Sequence, residues 1–123
     1  MARVLLVDDD AAALDLRKVI LEREGHRISI ASEPASARAL FAEMQPESVV
    51  LDLRLPEAKD GLALIREFRA AAPELRIIVL AGWPLDLEGT PEAQMVNLVL
   101  AKPIRTAWLV DALRYPTSGP TDL

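Results

Sequence analysis

Val4-Leu5-Leu6-Val7-Asp8-Asp9-Asp10 decides the fold: four apolar residues, two of them β-branched, run straight into three carboxylates. A segment apolar at every position suits a strand covered on both faces, as strands of a parallel sheet are. The pattern returns. Ser48 to Leu51 is apolar and β-branched and again ends in a carboxylate, Asp52. Ile77-Ile78-Val79-Leu80 and Leu98-Val99-Leu100-Ala101 repeat it, the latter followed by Lys102-Pro103. Arg27 to Ala31 alternates instead, with Ile28 and Ile30 on one side, and reads as a more exposed second strand.

Helical patterns fill the gaps. Ala11 to Glu24 carries a stripe of Ala12, Leu16, Val19 and Ile20, with Asp10 as its cap and Gly25 at its left-handed end. Ser32 can cap a second helix with Pro34 in its first turn and a stripe of Ala37, Leu40, Phe41 and Met44. Leu64, Ile65 and Phe68 mark a third, preceded by an Arg54-to-Gly61 loop in which Asp60-Gly61 reads as a turn. Thr106 to Leu113 makes a short last helix. Between strands four and five, residues 82–96 contain Pro84, Gly89 and Pro91, which permit at most a short or distorted helix. Strands alternating with helices imply right-handed crossovers and a parallel sheet. The expectation is an α/β, doubly wound, five-stranded flavodoxin-like sheet in the order 2-1-3-4-5, with an irregular fourth helix. Residues 1–114 form the domain, and 115–123 read as a flexible tail or the start of a linker.

Composition narrows the function. The chain of 123 residues is 51% hydrophobic and 27% charged, enough apolar material for one core. A formal net charge of −5 argues against direct nucleic-acid binding by this chain. There are no cysteines and a single histidine, His26, so thiol chemistry and multi-histidine metal sites are out. No apolar run approaches a membrane span, and no signal peptide is legible, so the reading is cytoplasmic.

The topology brings Asp8, Asp9, Asp52 and Lys102 to one rim of the sheet, at the switch point where such folds bind ligands. Clustered carboxylates repel unless a cation intervenes. Oxygen-only donors suit a hard cation such as Mg²⁺. Lys102 supplies a compact positive charge for a phosphoryl oxygen, and a carboxylate can itself be a nucleophile.

These segments resemble the response-regulator receiver family over about residues 2 to 114. Val4 to Asp10 is similar to its opening, Val49 to Pro56 with Asp60-Gly61 to its phosphoacceptor segment, and Leu100-Ala101-Lys102-Pro103-Ile104 to its terminal Lys-Pro. The resemblance implies phosphorelay signalling, with Asp52 as phosphoacceptor and Lys102 on the phosphoryl group. It implies Mg²⁺ held by Asp9 and Asp52 and by the Arg54 carbonyl, with Asp8 helping. It implies a sensor histidine kinase or histidine phosphotransfer protein as donor, a downstream protein or homodimer as target, and no enzyme activity beyond the domain's own phosphorylation and dephosphorylation.

Two positions depart from the family. Strand four usually ends in Ser or Thr, and here Ala81 stands there; the usual aromatic residue of strand five is Val99. The loop after Pro56 is one residue longer than the commonest form. A phosphorylation-independent pseudo-receiver docking module is therefore the alternative. An aspartate-nucleophile phosphatase of the haloacid dehalogenase type fits less well, because Ala12 stands where that family has Thr. No glycine-rich loop follows strand one, which argues against a dinucleotide site.

Overall fold

The computed structural model describes residues 2–114; the tail expected over 115–123 lies outside the described residues. Five parallel strands, β1 (Arg3–Val7), β2 (Arg27–Ala31), β3 (Ser48–Asp52), β4 (Arg76–Ala81) and β5 (Leu98–Ala101), form one sheet in the order β2-β1-β3-β4-β5. Among the described residues the α-helices are α1 (Ala11–Arg23), α2 (Pro34–Met44), α3 (Ala58–Ala71) and α4 (Thr106–Arg114). This is the expected doubly wound architecture.

Alternate residues of each central strand enter opposite cores. Leu5, Val7, Val49, Leu51, Ile77 and Val79 pack with Ala37 of α2 and with Leu64, Ile65 and Phe68 of α3. Val4, Leu6, Val50, Ile78 and Leu80 pack with Leu14 and Leu21 of α1 and with Leu109 and Leu113 of α4. Burial on both faces explains why Val4–Val7 of β1 and Val49–Leu51 of β3 are apolar at successive positions. Phe41 stacks on Phe68 with centroids 4.2 Å apart, tying α2 to α3.

The structure revises three local readings. On α1 the buried residues are Leu14 and Leu21, while Leu16 and Val19 are 59% and 47% exposed. Leu14 and Leu21 are seven residues apart, and the positions between them on that face are Arg17 and Lys18, whose charges hide the stripe from a hydropathy reading. The cap of α2 is Glu33 rather than Ser32, with Pro34 at the first helical position. Asp60-Gly61 is not a turn. It lies inside α3, which begins at Ala58 and whose Asp60 carboxylate accepts from the Glu57 N–H at 3.1 Å.

Residues 82–96 contain two 3₁₀ turns, Pro84–Asp86 and Pro91–Gln94, in place of a regular helix, as their prolines and glycine require. Arg69 of α3 anchors the far end of this segment. Its guanidinium donates to the carbonyls of Met95 (2.9 and 2.7 Å), Leu75 (2.6 Å) and Pro73 (3.0 Å) and to Asn97 Oδ1 (2.9 Å), which also accepts from the Ile77 N–H at 2.8 Å. Arg69→Met takes this donor from the partly buried carbonyls of Met95 and Leu75, and a loss of about 2 to 3 kcal/mol is expected in urea denaturation. A variant as stable as the parent would show that water replaces the guanidinium without cost.

Candidate functional site

β1 ends at Val7 and delivers two carboxylates to different environments. Asp8 is 1% exposed, whereas Asp9 faces solvent. Asp10 does not enter the site: its Oδ1 caps α1 by accepting from the Ala13 N–H at 3.1 Å. Asp52, the last residue of β3, is 6% exposed. Lys102 follows β5, and its Nζ donates to Asp52 Oδ2 at 3.0 Å and lies 4.0 Å from Asp8 Oδ2. Carboxylate oxygens of Asp8, Asp9 and Asp52 lie within 4.8 Å of one another. The structure thus brings together the four residues expected on this rim.

Asp9, Asp52, Arg54, Pro56, Trp83, Asp86 and Lys102 are among the residues lining an open cleft of about 340 Å³ over Asp52. The Arg54 side chain is not a free surface group. Its Nε and Nη2 donate to the two oxygens of Asp86 at 2.7 and 3.2 Å, and its guanidinium lies 5.9 Å from the Trp83 ring centroid. Ala81 is buried beside the site and places a methyl group there; its carbonyl accepts from the Lys102 N–H at 2.9 Å. Val99 is on the edge strand and 39% exposed.

One member of the site was not legible in the sequence. Arg17 Nη1 donates to Asp8 Oδ2 at 2.8 Å, with the Arg17 side chain 15% exposed. The other oxygen, Asp8 Oδ1, accepts from the Asp10 N–H at 2.9 Å. The signal for Arg17 is a charged residue on the face of α1 shared by Leu14 and Leu21, which is visible only after that face has been identified.

The two buried carboxyls are pushed in opposite directions. Burial raises the Asp8 carboxyl, but the Asp10 N–H, Arg17 and Lys102 together hold it below the usual range. Asp52 sits above it: burial raises it, the neighbouring Asp8 charge adds to this, and Lys102 offsets only part. Three carboxylates so close ask for a cation, and the donor set contains only oxygen. That suits a hard divalent ion such as Mg²⁺, with Asp9 exposed at the mouth for entry.

The family model for the response regulator receiver domain matches residues 4–114. Among curated proteins, the chain is 37% identical over 91 residues to the virulence transcriptional regulatory protein PhoP of Salmonella typhimurium, covering 72% of this chain and 40% of PhoP. It is 36% identical over 80 residues to the response regulator MprA of a Mycobacterium species, covering 65% of this chain and 34% of MprA. The chain therefore spans well under half the length of these relatives. Among solved structures, a response regulator receiver domain protein from Clostridium thermocellum superposes with a TM-score of 0.83 at 25% identity, over 93% of this chain and 92% of that one. Among the described residues, no helix is long and apolar enough to cross a membrane.

Proposed function

Because the chain belongs to the receiver domains of two-component response regulators, we propose that it accepts a phosphoryl group on Asp52 from a sensor histidine kinase or histidine phosphotransfer protein. The observation that carries this reading is the Lys102 ammonium 3.0 Å from an oxygen of a buried aspartate that shares its site with Asp8 and Asp9. Asp9, Asp52 and the Arg54 carbonyl would hold Mg²⁺, with Asp8 supporting from behind. When bound, the ion spreads the negative charge of the transferring oxygens. An Asp52 oxygen forms the bond to phosphorus as the bond from phosphorus to the donor's imidazole nitrogen breaks, and the imidazole carries that electron pair away. Lys102 shifts from the Asp52 carboxylate to a phosphoryl oxygen and neutralises it. The chemistry is confined to the domain's own phosphorylation and dephosphorylation. The partners downstream are a further protein or a second copy.

Incubation with Mg²⁺ and a small acyl phosphate tests the reading. A hydroxylamine-labile phosphoryl group, absent in chelator, is the expected result. Its absence with every donor, histidine phosphotransfer proteins included, would favour the phosphorylation-independent docking module. The methyl of Ala81 and the occupied oxygens of Asp8 are the features that favour that second reading.

Arg17 sets how tightly the ion binds. It neutralises Asp8 and occupies one of its oxygens, so Arg17→Leu removes a positive charge from the site and frees a ligand atom. Mg²⁺ affinity is expected to rise on the order of tenfold, read by Mg²⁺ titration of tryptophan emission. Unchanged or weaker binding would mean that Arg17 orients Asp8 rather than competing with the ion.

A further inference from the structure

We propose that Arg54 is a ligand of the phosphoryl group on Asp52, and that Asp86 holds it in reserve until that group arrives. The inference deepens the phosphoacceptor reading and rests on it. Three observations lead here. The end of β4 offers only the methyl of Ala81, so no hydroxyl at that position can follow the phosphoryl group. Arg54, two residues beyond Asp52, lines the cleft over Asp52 together with Asp86 and Trp83. Its guanidinium is held on one edge by the paired oxygens of Asp86 and lies over the Trp83 ring, 5.9 Å from its centroid.

The exchange follows from charge and geometry. Arg54 is half exposed in its ion pair, so the pair is weak enough to open, and the long side chain can swing without moving the backbone. A phosphoryl group carries close to two negative charges and three acceptor oxygens, against one charge on Asp86. The planar guanidinium suits phosphoryl oxygens as well as it suits a carboxylate. Leaving Asp86 takes the guanidinium off Trp83 and releases the Pro84–Asp86 turn from the loop after β3. The irregular 82–96 segment then becomes the part of the domain that responds, and Trp83 reports on it.

The test uses a Trp108→Phe background, in which Trp83 is the sole tryptophan. The protein is loaded with Mg²⁺ and beryllofluoride, a mimic of the phosphoryl group, and loading is followed separately by fluorine NMR. Trp83 emission is expected to shift on loading. Arg54→Ala should lose that shift and release beryllofluoride about tenfold faster. Asp86→Asn should give, before loading, an emission close to that of the loaded parent. A loaded protein with unchanged Trp83 emission would overturn the inference, as would an Arg54→Ala variant that shifts and releases like the parent. Absence of any bound fluorine signal would instead bring down the phosphoacceptor reading, and this inference with it.

Discussion

Gly61→Ala is expected to be the most damaging alanine substitution at any glycine of the described residues. A Cβ at position 61 would stand 2.0 Å from the Leu53 carbonyl oxygen and 2.7 Å from that residue's carbonyl carbon and Cα. Both partners are backbone, so no side chain can rotate away. Within a helix the change from Gly to Ala would ordinarily stabilise by about 1 kcal/mol. Here the clash decides the sign, because α3 can be seated only by moving away from β3 and opening the core around Leu53, Leu64 and Ile65. A net loss of about 3 kcal/mol or more is expected in urea denaturation. The displaced strand end carries Asp52, so phosphoryl uptake should fall with it. A variant as stable as the parent would mean that α3 and the end of β3 do not approach as described.

Asp52→Asn should separate stability from function. It removes the proposed nucleophile, so phosphoryl uptake is lost, and Mg²⁺ binding weakens with the loss of a ligand charge. Yet the folded protein should become more stable at neutral pH. The Asp52 carboxyl lies above its ordinary range, first because it is buried and then because Asp8 is beside it, with Lys102 offsetting only part. A carboxyl whose pKa is higher folded than unfolded binds its proton more tightly in the folded state. Ionised Asp52 therefore costs stability: fully above its folded pKa, and not at all below its unfolded one. Asparagine keeps the shape without the charge and should raise stability at neutral pH in the absence of Mg²⁺. The difference from the parent should fade in acid, below the ordinary aspartate range. A destabilised variant at neutral pH would mean that the ion pair with Lys102 outweighs the burial of the charge.

What the sequence disclosed, and what it hid, follows from which interactions are local. β1, β3 and β4 were legible because burial on both faces makes their central positions, Val4–Val7, Val49–Leu51 and Ile77–Leu80, apolar. The breaks in 82–96 were legible because proline and glycine act on their own backbone. Asp8, Asp9, Asp52 and Lys102 were legible because strand ends in this topology share one rim. Arg17 was not, since a charged residue on a buried face becomes intelligible only through its partner Asp8, nine residues away in the chain. Gly61 looked like a turn residue because its reason for being glycine is the Leu53 backbone. The pair of Arg54 and Asp86 joins two loops whose separation in sequence exceeds any local pattern.

Asp52 is the residue proposed to carry the phosphoryl group. Reduction with borohydride after incubation with Mg²⁺ and an acyl phosphate converts an aspartyl phosphate to homoserine, and peptide mass spectrometry then locates it. Homoserine in place of Asp52 alone, absent when Mg²⁺ is chelated, is the predicted result. Homoserine in place of Asp8 or Asp9, or a phosphoryl group carried by any other residue, would contradict the account.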